Sequence, residues 1–344
     1  MSSRQKKTVK IDFVVTWVDG SDAKWINSRN KYSKFEVGGI DSSQARYRDW
    51  GLMPYWFRAV EKNAPWVRKI FFVTCGQIPD WLNKNNSKLE IIRHEDFIPC
   101  EYLPTFNSAA IEVNLHRIKG LSEHFVYFND DMFLTDMISP EFFFRKGLPV
   151  DIGVENVVPL VSDSKFYVVN SIMRNGTQVI NDHFSKRDFL KRNFVKWFSP
   201  LLGRNVIRNI LLLPWKDFCG FYTFHMPTAF LKNTFHEVEE VEGELIKSVS
   251  EHRFRSDKDI SQWLFQYWQL VKGQYRLPLN NRRKVFEIGK DDVKVICNAI
   301  VKKQYKVICI NDVDCDGYDI NTMSRELISA FNVAFPQKSV FENE

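Results

Sequence analysis

The chain has 344 residues, 44% hydrophobic and 26% charged, which excludes a disordered polymer and leaves room for one large domain or two ordinary ones. A net charge of +6 suits an anionic substrate or surface. Without an arginine-rich arm, zinc finger or RNA-binding signature, it does not point to nucleic acid. The six cysteines (Cys75, Cys100, Cys219, Cys297, Cys309 and Cys315) form no CxxC pair and are too sparse for a disulfide scaffold, so they read as free thiols in a reducing compartment.

Met1 to Lys10 is polar and basic, unlike a secretory signal, and no apolar run reaches the roughly 18 residues of a membrane span. The expected location is the cytoplasm, with a peripheral contact at the inner face of the membrane as an option. Ile11 to Val18 is an apolar, β-branched run that stops at Asp19-Gly20-Ser21-Asp22, which predicts a buried strand and a polar loop. Leu52 to Asn63 has helical spacing. Lys69 to Thr74 and Leu89 to Arg93 predict further strands, Ala109 to Ile118 a helix, and Phe125 to Phe128 a fourth strand ending in acidic residues. This alternation predicts an α/β region with a mostly parallel sheet, whose ligands bind at the carboxyl ends of strands. Asn181 to Lys216 is basic. Its Leu190, Phe194, Trp197 and Phe198 share one helical face, so it reads either as a packed helix with a solvated side or, through residues 184–216, as a contact with a membrane, the capsule-assembly machinery or an anionic acceptor. From Phe224 onward the pattern is mainly helical, interrupted by the apolar run Tyr305 to Ile310.

Several motifs can carry chemistry. Asn129-Asp130-Asp131 offers two carboxylates at a strand end, where Mg2+ or Mn2+ could be held; a solvated turn is the alternative. Gly20 permits close backbone approach, and Trp17 could pack or stack on a base. Arg46 and Arg48 suit phosphate contacts or surface ion pairs. His225, before Pro227 in an aromatic setting, reads as a core or functional histidine, with Arg253, Arg255 and Asp259 on the following segment. Asp312 to Gly317 imitates the start of a calcium loop, but Met323 stands where a bidentate glutamate is required, so calcium sensing is rejected.

Taken in order, these blocks resemble the Stealth family of polysaccharide phosphotransferases, which includes the catalytic region of the lysosomal-enzyme N-acetylglucosamine-1-phosphotransferase. The blocks are Ile11 to Asp22; Arg46 to Leu134, with Leu103-Pro104-Thr105-Phe106-Asn107-Ser108 and His116-Arg117-Ile118; His225-Met226-Pro227 to Asp259; and Cys309-Ile310-Asn311-Asp312. Cys75 and Trp50-Gly51 depart from the family pattern.

The resemblance implies transfer of a sugar 1-phosphate from a UDP-sugar to a glycan hydroxyl, with release of UMP and formation of a phosphodiester-linked capsular or cell-surface polysaccharide. It implies a nucleotide-sugar-transferase-like α/β fold and a division into a nucleotide-sugar and metal-binding region over 1–150, a variable basic insert over 151–220, and a mainly helical region over 221–344 that completes the active site. By the same resemblance, Asp130 and Asp131 bind Mg2+ or Mn2+, and His225, Arg255 and Asp312 are catalytic. Asp12, Asp19, Gly20, Asp22, Arg46, Arg48, Asn107, Glu112, His116 and Asn129 line the substrate cleft. Two alternatives share these residues: a metal-dependent glycosyltransferase releasing UDP, and a glycan-binding module without turnover.

Overall fold

The computed structural model describes residues 9–33, 47–161, 164–279, 282–312 and 319–344, without the side chains of 164 and 165. Arg46 and the calcium-loop-like residues from Val313 to Gly317 therefore lie outside the described residues.

The chain begins with β1 (Ile11–Thr16), α1 (Ala23–Ser33), α2 (Met53–Asn63), β2 (Ile70–Thr74), β3 (Leu89–Arg93), α3 (Ser108–Val113) and β4 (His124–Phe128). Strands β1 to β4 run parallel, and β1 lies between β2 and β4, with Phe13 opposite both Ile70 and Val126. Because helices cover both faces of this sheet, its strands read as nearly continuous apolar runs. Phe13, Val15, Phe72 and Phe128 pack toward α2, whereas Val14, Phe71, Val73, Phe125 and Tyr127 pack on the opposite side. Burying each such phenylalanine contributes roughly 1.5–3 kcal/mol. Helix α2 starts cleanly because Pro54 sits in its first turn, where no N–H is needed.

A tight turn after β4, closed from Met132 N to Asn129 O at 3.3 Å, leads into β5 (Met132–Leu134). The hairpin β6 (Phe144–Arg145) and β7 (Leu148–Pro149) follows, then α4 (Ser164–His183), α5 (Lys186–Trp197), α6 (Val206–Leu211), β8 (Thr228–Leu231), α7 (Lys232–Glu251), α8 (Gln262–Val271), β9 (Arg283–Ile288), α9 (Val293–Val301), β10 (Val307–Asp312) and α10 (Ile320–Ala334). Strand β8 joins the central sheet antiparallel to β4, giving the order β3-β2-β1-β4-β8. A second sheet, β5-β10-β9, places β10 antiparallel to β5. The later part of the chain is thus mainly helical, but it supplies strands to both sheets.

Two local expectations are corrected. The helix expected over 109–118 ends at Val113, because the Asn114 side chain bonds back to Ala110 O at 2.8 Å and across to Ser250 Oγ at 2.8 Å; a 3-10 turn at Leu115–Arg117 follows. Leu190, Trp197 and Phe198 pack against the core as expected, but Phe194 is 60% exposed, and Lys186, Phe189 and Asn193 are buried on α5 beside Trp197. Lys186 is buried against Glu155 at 2.9 Å and Leu212 O at 2.7 Å. Among the described residues no helix is long and apolar enough to cross a membrane.

Candidate active site

The carboxyl ends of β1 and β4 and the far end of β10 meet at one edge. Asp131 lies in the turn between β4 and β5, and its carbonyl accepts from Ile310 N at 2.8 Å, which ties the turn to β10. One Asp131 carboxylate oxygen, Oδ2, is 3.0 Å from His225 Nε2 and accepts from the Cys309 thiol at 3.2 Å. The other, Oδ1, is buried without a partner. A buried carboxylate oxygen left bare is costly, so this atom marks a place for a cation.

The electrostatics concentrate negative charge here. Burial, then neighbouring Asp131 and Asp49, push Asp130 up to about 8. Asp49 is itself raised by burial and by Asp19, although Gly51 N donates to it at 2.8 Å. Burial pushes the His225 imidazole down, but the adjoining Asp131 carboxylate more than offsets this and leaves it above its ordinary value. Burial and the same carboxylate push the Cys309 thiol far up, so Cys309 serves as an S–H donor. Without a cation the acidic cluster repels itself. Asp130 and Asp131 are oxygen donors of the kind Mg2+ and Mn2+ take, and the imidazole of His225 is better tolerated by Mn2+. The residues present therefore fit a hard divalent ion.

Cationic groups border the cluster. Arg255, on the loop before α8, donates to Ser108 Oγ at 2.6 Å, and its charge acts on both Glu112 and His225. Arg48 Nη1 donates to Asp312 Oδ2 at 2.7 Å, and Trp50 Nε1 donates to the same oxygen at 3.1 Å. Asp312 thus holds Arg48, and Asp131 pairs with His225. Glu112 lies beneath the edge, accepting from Tyr127 Oη at 3.3 Å and Gln262 N at 3.1 Å, with burial raising its carboxyl. Asn129 opens the β4–β5 turn, its carbonyl closing on Met132 N at 3.3 Å.

Other expected residues have structural partners. Asp12 is fully buried near the amino end of β1, the wrong end of the sheet, and is occupied by the Arg68 guanidinium and by Ser122 N at 2.8 Å. It is not part of the cleft. His116 is buried against Glu239, at 2.9 Å, and Phe235, away from the strand ends, so it does not line the cleft either. His116, His236 and Glu239 form a second group with ligand atoms within 4.8 Å, but Arg117 already pairs with Glu239. Asn107 is fully buried. It caps α3 and donates to His252 O at 3.2 Å, Phe254 O at 3.3 Å and Asp259 Oδ2 at 2.9 Å, so it staples the Arg255 loop in place instead of touching substrate.

Asp22 caps α1 through Trp25 N at 2.7 Å, and Asp19 accepts from Ser21 N at 2.8 Å. Gly20 is required by the chain itself: a Cβ there would lie 2.1 Å from Tyr47 O. Trp17 is buried and stacked on Phe72, with ring centroids 5.6 Å apart. Asp49 and Cys309 are the site residues that sequence reasoning passed over. Both stood inside motifs already singled out, beside Arg48 and three residues before Asp312.

An α/β sheet carrying an acidic cluster, a paired histidine and flanking arginines at its carboxyl edge defines an enzyme site for an anionic substrate. The comparisons with known proteins make this specific. Residues 9–34 match Stealth protein conserved region 1, and residues 46–151 match Stealth protein conserved region 2. The chain is 42% identical over 342 residues to a capsular polysaccharide phosphotransferase, WcwK, of Streptococcus pneumoniae, covering 98% of this chain and 100% of that one. It is 41% identical over 333 residues to the exopolysaccharide phosphotransferase cps2G of Lactiplantibacillus plantarum, covering 96% of each. The chain belongs to the Stealth family of polysaccharide phosphotransferases, and it is an enzyme. Among solved structures it is similar to the galactosyltransferase LgtC, with 10% identity, 92% of this chain and 95% of that chain covered, and a TM-score of 0.37.

Proposed function

We propose that this enzyme transfers a sugar 1-phosphate from a UDP-sugar to a glycan hydroxyl and releases UMP, building a phosphodiester-linked capsular or cell-surface polysaccharide. The observation that carries this reading is the division of labour on Asp131: Oδ2 holds His225, while Oδ1 is bare and buried beside Asp130. That arrangement couples a positioned base to a cation site, which phosphoryl transfer needs and a lectin does not. The names of the relatives, capsular and exopolysaccharide phosphotransferases, support the same product class.

In this reading Asp130 and Asp131 hold Mg2+ or Mn2+. When bound, the ion neutralises the diphosphate and the leaving UMP. The acceptor hydroxyl loses its proton to His225, and its oxygen forms a bond to the phosphorus next to the sugar. The bond from that phosphorus to the bridging oxygen breaks, and UMP leaves with the oxygen. Asp131 keeps the imidazole oriented and stabilises its protonated form. Arg255, Arg48 and Arg46 meet the charge of the transferring phosphoryl and diphosphate groups. Asp19 and Asn129 border the nucleotide-sugar. Cys75 and Cys100 are exposed free thiols, which suits the reducing cytoplasm as the place of reaction.

The test is to incubate the purified protein with several UDP-sugars, Mg2+ or Mn2+ and glycan primers. UMP release with phosphorus retained in the product is the expected result. Release of UDP with a phosphorus-free product would establish the glycosyltransferase alternative instead.

A further inference from the structure

Residues 184–216 hold eight lysines and arginines against one acidic residue, Asp188; the rest of the chain has 40 basic and 41 acidic residues, so this segment carries the whole positive excess. Here the outer surface is also apolar. Val195 is 84% exposed, Leu211 66%, Phe194 60% and Trp215 55%. On α6, exposed Ile207, Ile210 and Leu211 follow i, i+3, i+4 spacing and share one face. Between α5 and the Leu213–Lys216 stretch lies a groove of about 640 Å³, lined by Leu190, Phe194, Leu213 and Trp215 and edged by Arg187 and Lys191.

This surface is braced from within. Lys186 is bonded to Glu155 and Leu212 O, and the buried Asn209 side chain donates to Gly153 O at 2.9 Å and Trp197 O at 2.6 Å. The apolar tips are therefore presented by a fixed framework. Arg187, Arg204 and Lys216 are exposed and form no ion pair with a carboxylate among the described residues, and exposed Arg192 has only the through-space attraction of Asp188. A hydrated polyanion would use the basic groups but has no use for exposed leucine, valine and tryptophan. The boundary between anionic headgroups and acyl chains uses both.

We propose that residues 184–216 dock the protein peripherally on an anionic phospholipid bilayer. The apolar tips of α5, α6 and Trp215 enter the headgroup region, and the surrounding arginines and lysines face lipid phosphates. This surface is independent of the catalytic reading.

The experiment is flotation of the full-length protein with phosphatidylcholine vesicles, with and without phosphatidylglycerol, at low and high salt, with soluble heparin as a separate ligand. The double variants Leu211→Glu/Trp215→Glu and Arg192→Glu/Lys216→Glu change only exposed side chains, and unchanged melting temperatures confirm that they fold. The expected result is binding to phosphatidylglycerol vesicles only, weakened by salt and about tenfold or more by each double variant. Absence of binding to anionic vesicles overturns the proposal. So does heparin binding together with vesicle binding that Leu211→Glu/Trp215→Glu leaves intact, since that pattern describes a polyanion site without membrane insertion.

Discussion

Asp131 and His225 stand 94 positions apart in the chain, yet their side chains meet at 3.0 Å, and the free oxygen of the same aspartate is buried without a partner. One residue thus joins the proposed base to the proposed cation site, and variants at this pair should behave distinctively.

His225→Ala is expected to lower kcat by about a hundred- to ten-thousandfold, the range for a lost general base. Because Asp131 raises the imidazole above its ordinary value against the downward pull of burial, the active neutral form accumulates only as pH rises through that raised value. In Asp131→Asn the main upward pull is gone, and burial outweighs the weaker pull of Glu112, so the rising limb of the pH–rate profile should move to lower pH while its height falls. The sign for stability is opposite. The protonated pair stabilises the fold below the unfolded imidazole pKa, and that contribution is lost as pH rises through the folded value. A pH–rate profile unmoved by Asp131→Asn would break the assigned link.

Divalent-ion binding is expected to release a proton near neutral pH. Burial and the neighbouring aspartates hold Asp130 at about 8 without an ion, so it is mostly protonated at pH 7, and a bound cation must displace that proton. Calorimetric titration with Mn2+ in buffers of different ionisation enthalpy reads the release directly. Affinity should climb with pH up to about 8, and Asp130→Asn should abolish both the release and most of the binding. Mn2+ binding without proton release would show that Asp130 is not a ligand.

Asp312→Asn is expected to raise KM for the donor about tenfold while changing kcat much less, because Asp312 holds Arg48 at 2.7 Å. Arg48→Lys should act similarly, since an ammonium cannot reproduce the planar guanidinium fork. A thousandfold fall in kcat at unchanged KM would instead put Asp312 in contact with the reacting groups.

Asp12→Ala should lower stability by about 1–3 kcal/mol, because it leaves Ser122 N without its acceptor and partly exposed Arg68 without its carboxylate. Thermal denaturation measures the loss. At temperatures where the variant is folded, its Mn2+ affinity should match the wild type, which separates a structural aspartate from a cleft aspartate.

The central strands were legible in the sequence because both faces of the sheet are covered, which leaves uninterrupted apolar runs such as those of β1 and β2. The acidic strand ends were legible for the same reason: charge begins where the sheet stops. What the residues could not reveal is which end of a strand an aspartate occupies in space. Asp12 lies inside β1 near its start and Asp19 follows its end, so only Asp19 lies at the carboxyl edge. His225 reached the site through the ordered family motifs, since no spacing rule links β4 to the segment before β8. The inward face of α5 was read only in part: Leu190 and Trp197 do pack against the core, but Lys186 and Asn193 look like solvent residues, and Lys186 is buried through partners such as Glu155.

The bond from Ile310 N to Asp131 O, with Cys309 on the Asp131 side chain, has a consequence for synthesis on the ribosome. The acidic turn emerges early, but the strand that braces it is made only after some 170 further residues. A nascent or truncated chain ending before β10 would carry every aspartate of the cluster and still lack the framework that holds them. A chain truncated before β10 is therefore expected to keep Asp130 and Asp131 but to lose the two bonds that fix their turn.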